Sequence, residues 1–181
     1  MRNIRSILFA VIVSLSMAAL SGPAFAQNYT DSDQAIGKKV EKELRTLARA
    51  NVFDHITYQI NGGTVVLSGK VYTLGTIREA VSSVKRVKGV TEVVNQIQEL
   101  PPSPYDDRIR RAAFREFVTR GPGQYFSTIN PDVRIIVEGG RITLEGHVNR
   151  KGDSDMLYLL ANGINGTFSV TNNLIVGKIA G

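Results

Sequence analysis

Apolar and polar residues alternate most clearly in two stretches of the chain, 60–71 and 137–148, and these are near copies of each other. Each stretch carries two strand-like runs around a Gly-Gly pair. Glycine readily adopts the positive φ that a tight turn between antiparallel strands requires. The pattern therefore predicts one β-hairpin that is used twice. A later glycine inside each second strand indicates a bulge or a close backbone approach.

Amphipathic segments flank the first hairpin. Apolar residues at spacings of three and four predict a helix before it, with Ser32 or Asp33 as the N-cap. The apolar face of this helix is formed by Ile36, Val40, Leu44, Leu47 and Ala48. A second helix is predicted within residues 74–87 and is stopped by Gly89. A third strand, 90–98, completes the unit.

The second hairpin lies within the same order of elements. A helix capped by Asp106 or Asp107 precedes it, and a helix that starts near Asp153 follows it. The core face predicted for the first of these helices is Ile109, Ala113, Phe114, Phe117 and Val118. In the last strand Val170, Asn172 and Leu174 correspond to Val93, Asn95 and Ile97 of the first unit.

Three prolines within residues 101–104 predict a short, stiff linker, because proline breaks both helix and sheet. This divides the chain into one unit over 33–100 and another over 105–178. A three-stranded sheet covered on one face by two helices would bury the apolar stripes of each unit together. The predicted fold class is α+β, with two tandem α-β-β-α-β sandwiches.

Residues 1–26 have the pattern of a cleavable signal peptide. Arg2 and Arg5 precede an apolar run over 7–20, and residues 24–26 offer the small-x-small pattern of a cleavage site. A membrane-spanning anchor fits less well, because the run is short and is interrupted by serine, glycine and proline. We therefore expect the mature protein to be exported.

The chain contains no cysteine. An exported protein without cysteine has no disulfides, no thiol catalysis, no thiolate metal site and no lipidated N-terminal cysteine. The formal net charge is +6, from 22 basic and 16 acidic residues, and it falls to +4 when Arg2 and Arg5 are removed. A moderate positive charge suits contact with anionic lipid head groups or other acidic polymers.

Three basic clusters are candidate contacts for an anionic surface. They are Lys38, Lys42, Arg45 and Arg49 opposite the apolar face of the first helix, Arg78, Lys85, Arg86 and Lys88 on and after the second, and Arg108, Arg111 and Arg115 on the third. Tyr158 is a further candidate, as a partly exposed apolar insertion point. The alternative is that the clusters are ordinary solvated helix faces, and cations in a last turn also favour the helix dipole. The positions of these residues in the sequence do not decide between an anionic-surface contact and a solvated helix face.

Catalytic patterns are missing from the sequence. His55 and His147 have no partner at metal-ligand spacing, and acidic pairs such as Asp106-Asp107 stand where helix caps are expected. The chain contains no G-x-S-x-G, P-loop or dinucleotide motif. The basic segments lack an aromatic platform for nucleic acid. We expect a non-enzymatic protein without a metal, a cofactor or a nucleic-acid partner.

The two units resemble the BON domain (bacterial OsmY and nodulation), whose pattern is a Gly before a V-x-L-x-G-x-V strand, a helix, and then G-V-x-x-V-x-N. The first unit carries it at 63–71 and 89–95, and the second at 140–148 and 166–172, where Thr167 replaces the expected Val. The motif residues are Gly63, Leu67, Gly69, Val71, Gly89 and Asn95, then Gly140, Leu144, Gly146, Val148, Gly166 and Asn172. We interpret these glycines as turn, bulge and helix-end positions, and the asparagines as partners of neighbouring backbone.

Two such domains behind a signal peptide are similar to the OsmY-like periplasmic proteins. The resemblance implies a periplasmic, non-catalytic binding protein that contacts phospholipid membranes and supports envelope integrity or, in some members, osmotic-stress tolerance. The positive charge of the mature chain favours anionic phospholipid surfaces. The alternative is a chaperone-like or protein-interaction module, whose partners would be other envelope proteins paired at exposed strand edges. The sequence does not decide between these two functions or identify the unit that binds. It also does not give the relative orientation of the units or the oligomeric state.

Overall fold

Two Gly-Gly turns close the hairpins around which the fold is built. The structure is a computed structural model that describes residues 31–127 and 130–177. The predicted signal peptide, 1–26, and Lys178, the last residue of the predicted second unit, lie outside the described residues. Gly62 and Gly63 have φ of 56° and 82°, so both turn residues adopt the left-handed conformation that favours glycine.

The first unit runs from α1 to β3. Its elements are α1 (Asp31–Arg45), β1 (His55–Asn61), β2 (Thr64–Val71), α2 (Leu74–Lys85) and β3 (Glu92–Glu99). β2 is central, antiparallel to β1 with Asn61 opposite Thr64, and parallel to β3 with Thr64 opposite Glu92. Parallel neighbours need a crossover, and α2 supplies it.

The second unit repeats this topology from α3 to β7. Its elements are α3 (Pro104–Thr119), a short 3₁₀ helix (Gly123–Tyr125), β4 (Val133–Glu138), β5 (Arg141–Val148), α4 (Lys151–Asn162), β6 (Ser169–Asn172) and β7 (Ile175–Val176). β5 is antiparallel to β4 and parallel to both β6 and β7. The last strand of this unit is therefore split in two. The α+β fold class, with two tandem α-β-β-α-β units, is confirmed.

Each unit has its own apolar core between its helices and its sheet. In the first unit Val40, Val65 and Leu67 are fully buried, and in the second the fully buried residues include Phe117 and Leu144. No helix among residues 31–127 and 130–177 is long and apolar enough to cross a membrane.

The glycine inside each second strand faces a backbone carbonyl at the start of β1 or just before β4. A Cβ built on Gly69 would lie 2.1 Å from the oxygen of His55, and one on Gly146 would lie 2.0 Å from the oxygen of Asp132. Both glycines have positive φ, 130° and 110°. No larger residue fits either position without displacing the backbone.

The predicted helix caps are wrong. Ser32 and Asp33 lie inside α1, and Asp106 and Asp107 lie in the first turn of α3. The N-cap of α3 is Ser103, whose hydroxyl accepts a hydrogen bond from the backbone nitrogen of Asp106 at 3.1 Å. Pro104, the last residue of the proline-rich segment, is the first residue of this helix, where its missing N–H costs nothing.

Two further expectations about helices are wrong. α1 ends at Arg45, so Leu47, Ala48 and Arg49 follow the helix instead of continuing its faces. Phe114 and Val118, expected in the core, are 37% and 42% exposed. The ring of Phe114 contacts Phe53 of the first unit instead, at a centroid distance of 6.5 Å. A residue that joins the two units cannot be distinguished by its spacing from one inside a single core.

Candidate functional site: a basic groove on the second unit

A basic depression lies between α3 and α4 of the second unit. It has a volume of ≈ 780 Å³. Arg108, Arg111 and Arg115 line it from α3, together with Arg120 just after that helix, and Leu159 lines it from α4. We call this depression the α3–α4 groove.

The arginines of the groove share a face because they are three and four residues apart on one helix. All three side chains of the predicted cluster, Arg108, Arg111 and Arg115, are exposed. Within the part of the chain that the structure describes, Arg111 and Arg115 form no ion pair. Arg120 is paired with Glu116 at 3.0 Å. The groove therefore presents guanidinium groups with little internal neutralisation.

The opposite wall of the groove is apolar. Leu159 is 69% exposed although it is a large aliphatic residue, and the half-buried Leu160 and the buried Ile164 lie beside it. Tyr158, the predicted insertion point, is 40% exposed on α4 and stands outside the residues that line the groove. Leu159 could not be identified from the sequence, because the clustered apolar positions of α4 do not reveal which leucine faces outward.

The first basic cluster is divided by the end of α1. Lys38, Lys42 and Arg45 are exposed and line one shallow depression with Glu41, which pairs with Arg45 at 3.6 Å. Arg49 lies beyond the helix, with its side chain next to Gly75 at the start of α2. This surface is therefore partly neutralised and lacks its fourth predicted member.

The second basic cluster is arranged around the end of α2. Arg78 and Lys85 are exposed on the helix, and Lys88 is exposed beyond it. Arg86 is the C-cap residue, and its guanidinium donates a hydrogen bond to the hydroxyl of Ser83 at 3.1 Å. Cations at the C-terminal end of a helix interact favourably with the helix dipole, which is a sufficient structural reason for basic residues at this end of α2.

The motif residues serve the backbone geometry or the apolar cores. The side-chain oxygens of Asn95 and Asn172 accept hydrogen bonds from the backbone nitrogens two residues on, at 3.1 and 3.2 Å. Asn172 also donates to the hydroxyl of Ser154 on α4 at 2.9 Å. Leu67, Val71, Leu144 and Val148 are buried on the central strands, while Gly63, Gly89, Gly140 and Gly166 have positive φ.

The two units contact each other through the loop between α1 and β1. Val52 is part of the second core, and its carbonyl accepts a hydrogen bond from the nitrogen of Ile135 at 2.8 Å. The ring of Phe53 lies 6.2 Å from that of Tyr72 and 6.5 Å from that of Phe114. A short segment of the first unit thus packs against the edge of the second sheet.

A buried arginine strengthens the same contact. Arg110 of α3 is 2% exposed and lies 5.1 Å above the ring of Tyr72. Its guanidinium donates to Asp107 at 2.6 Å and to the carbonyl of Val137. A guanidinium stacked on an aromatic ring in a desolvated position is a favourable cation–π arrangement.

Three ionisable groups with shifted pKa values lie at this contact. Burial raises the pKa of Asp54, against the lowering effect of hydrogen bonds from the nitrogens of Tyr72 and Asn51 and of the charge of Arg134. Burial lowers the pKa of Arg134, whose guanidinium donates to the carbonyl of Asn51 at 3.1 Å. Burial also lowers the pKa of His55. Asp54 and Arg134 thus influence each other's charge across the contact between the units.

The described residues, 31–127 and 130–177, contain no group of three or more His, Asp or Glu side chains placed to hold a metal ion. His55 lies at the contact between the units, and His147 lies in β5.

Both units of the chain match a known protein family. The family model of the BON domain matches the chain twice, over residues 32–101 and 106–178. No curated protein matches the chain.

Two similar solved structures are of CdsD, a structural protein of the type III secretion system of Chlamydia trachomatis. Its C-terminal domain is 16% identical, with 78% of this chain and 67% of that chain covered and a TM-score of 0.32. The other structure is 12% identical, with 81% and 94% covered and a TM-score of 0.33.

Proposed function

The chain belongs to the BON domain family, with one domain in each of its two units, and we propose that it is an exported, non-enzymatic protein that binds peripherally to anionic phospholipid surfaces through the α3–α4 groove. The observation that carries this proposal is the convergence of the α3 arginines with an exposed leucine. Arg108, Arg111 and Arg115 occupy one wall of a groove whose other wall presents Leu159.

The expected affinity follows from the charge. Each basic residue near an anionic membrane contributes about 1 kcal/mol, so three or four arginines supply roughly 3–4 kcal/mol. This attraction decreases with ionic strength. Contact of Leu159 with the acyl boundary would add an apolar contribution that salt does not weaken. We therefore infer reversible and salt-sensitive binding, which suits a peripheral protein.

The cellular setting rests on the N-terminal sequence and on the family resemblance. A signal peptide over 1–26 would deliver the protein to the periplasm, where anionic phospholipid is available and nucleic acid is not. There the protein would support envelope integrity or tolerance of osmotic stress. No cofactor is part of this function.

Vesicle flotation tests the proposal. Residues 27–181 would be mixed with vesicles of phosphatidylcholine alone or with phosphatidylglycerol, at low and at high salt. We expect flotation only with the anionic vesicles and its loss at high salt. The variant Arg108→Glu, Arg111→Glu, Arg115→Glu should remain unbound. The matched control, Lys38→Glu, Lys42→Glu, Arg45→Glu on the first unit, changes the charge equally and should float as the wild type does.

Two results would contradict the proposal. If the groove variant floats as well as the wild type, the arginines do not hold the protein on the membrane. If the control variant loses flotation to the same extent, the positive charge of the whole protein is responsible and not the groove.

A second candidate function is supported by the sheet edges. β3, Glu92–Glu99, lies at the edge of its sheet and pairs with β2 on one side. An exposed edge strand can pair with a strand of another chain, as a chaperone-like or protein-interaction module of the envelope would do. This candidate predicts that the protein slows the aggregation of an unfolded client at stoichiometric ratio, independently of lipid charge. Failure to slow any client would exclude it.

A further inference from the structure

Phe168 is the most exposed of the large hydrophobic residues that the structure describes. Its side chain is 77% exposed, just before β6. The backbone there is fixed, because the nitrogen of Phe168 donates to the carbonyl of Gly140 at 2.7 Å. The guanidinium of Arg141 lies over the ring, 5.5 Å from its centroid. The ring is thus held outward by its backbone and by a cation.

A second aromatic residue with its own arginine lies at the same turn, because a Cβ built on Gly140 would lie 3.2 Å from the ring of Tyr105 and 3.6 Å from the Cβ of Phe168. Tyr105 is 45% exposed, and its hydroxyl donates to the carbonyl of Gly166 at 2.6 Å. Arg108 lies over the ring of Tyr105 at 5.6 Å. We call Tyr105, Arg108, Arg141 and Phe168 the Phe168 patch. Arg108 also lines the α3–α4 groove, so the patch is continuous with that groove.

The first unit shows that the fold does not require this patch. Thr91 is the counterpart of Phe168, because its nitrogen donates to the carbonyl of Gly63 at 2.9 Å in the equivalent turn. The counterpart of Arg141 is Thr64, the first residue after the turn. The same backbone is thus built with small polar side chains in one unit and with an exposed aromatic–cation pair in the other. Folding alone does not account for Phe168.

We propose that Phe168 inserts into the bilayer next to the α3–α4 groove, while Arg141 at its ring and Arg108 at the neighbouring Tyr105 bind lipid phosphates. This inference rests on the proposed function and specifies it, because it requires the loop before β6 to face the membrane. The partner is an anionic phospholipid bilayer, since the exposed ring is apolar and the flanking side chains are cationic. Aromatic rings flanked by arginines suit the boundary between head groups and acyl chains.

Phe168 is better suited to insertion than Tyr158, the candidate from the sequence, because more of it is exposed. Tyr158 is 40% exposed and ends in a polar hydroxyl, whereas Phe168 is 77% exposed and entirely apolar. Phe168 therefore has more apolar area to transfer from water into the bilayer. The attraction between Arg141 and the ring also increases as both leave water. Removing the ring should reduce the affinity for vesicles about tenfold.

A tryptophan probe tests the inference, because the chain contains no tryptophan of its own. In residues 27–181, Phe168→Trp would place a single indole in the patch, and Thr91→Trp would place one at the equivalent position of the first unit. Vesicles of phosphatidylcholine and phosphatidylglycerol would be prepared with and without brominated acyl chains. We expect a blue shift and quenching by bromine for Phe168→Trp, and neither for Thr91→Trp. Phe168→Ala should bind about tenfold more weakly at unchanged folding stability.

The outcomes separate this inference from the proposed function. If the wild type floats with anionic vesicles but the indole of Phe168→Trp is neither shifted nor quenched, insertion by Phe168 is wrong and lipid binding stands. An unchanged affinity of Phe168→Ala has the same meaning. If Thr91→Trp responds as strongly, the bilayer contact is not confined to the second unit and the inference fails. If the wild type does not float at all, the inference and the proposed function fail together.

Discussion

The carboxylate of Asp106 accepts a hydrogen bond from the backbone nitrogen of Gly140 at 2.8 Å. Its other oxygen accepts one from Gly139 at 3.0 Å, so a single buried side chain in the first turn of α3 holds both residues of the hairpin turn. Asp33 of α1 does the same for the first hairpin turn, at 3.2 and 3.3 Å. Each unit thus ties its first helix to its hairpin by a charge-assisted pair of hydrogen bonds.

We predict that Asp106→Asn destabilises the second unit by about 2–3 kcal/mol. Asparagine has one acceptor oxygen where aspartate has two, so one turn nitrogen loses its partner and faces an NH₂ group. Urea unfolding measures the free energy of unfolding. The control is Asp155→Asn, which removes an exposed ion pair with Lys151 and should change stability by less than about 0.5 kcal/mol. Equal effects of the two substitutions would show that the buried pair of hydrogen bonds contributes no more to stability than an exposed ion pair.

The close approach at Gly146 gives a second prediction. Gly146→Ala brings a methyl group against the carbonyl of Asp132 at a residue with positive φ, and we expect a loss of about 3 kcal/mol. The control is Gly152→Ala in α4, where no atom beyond the adjacent residues and the helix's own backbone lies within 4 Å of the added carbon. That substitution should leave stability unchanged or raise it by about 0.5–1 kcal/mol. Thermal unfolding measures the stability of both variants. If Gly146→Ala is as stable as the wild type, the close approach to Asp132 is wrong.

The hairpins could be predicted from the sequence because their information is local. Alternation and the Gly-Gly pairs place β2 and β5 at the observed bounds. The roles of Asp33 and Asp106 could not be predicted, since a carboxylate at the start of an apolar run fits an N-cap equally well. Their true partners are about thirty residues away along the chain, and local spacing contains no information about them.

The candidate site was predictable only in part. The spacing of Arg108, Arg111 and Arg115 places them on one face of a helix, and the structure adds the wall that faces them. Phe168 gave no periodic signal, because it lies between two elements. A comparison of the two repeats could have found it, since Thr91 at the equivalent position of the first unit is small and polar.

The contact between the units gives a third prediction. Phe53 lies between Tyr72 and Phe114, so Phe53→Ala removes the aromatic link from the first unit to α3. We expect a loss of about 2 kcal/mol and the appearance of two separate unfolding transitions. Differential scanning calorimetry measures both effects. The control is Phe168→Ala, at an exposed ring, which should keep the wild-type profile. A single unshifted transition in Phe53→Ala would mean that the ring does not couple the units.

His55 lies at the same contact, with its Nε2 atom 4.0 Å from the carboxylate of Glu145. Burial is the largest effect on its pKa and lowers it below the usual value of 6.5. The charge of Glu145 opposes this shift, and the charge of Arg134 adds to it. The folded protein therefore binds the proton of His55 less tightly than the unfolded chain does.

The sign of the pH effect follows from this lowered pKa. A group with a depressed pKa contributes stability that is fully present above its unfolded pKa and is lost as the pH falls through the folded one. We predict that the free energy of unfolding of the wild type, relative to His55→Gln, decreases between about pH 7.5 and about pH 5. Urea titrations at several pH values measure the difference, with His147→Gln as the control for loss of a histidine in a strand. A difference that grows as the pH falls would mean that His55 is held in its charged form by Glu145.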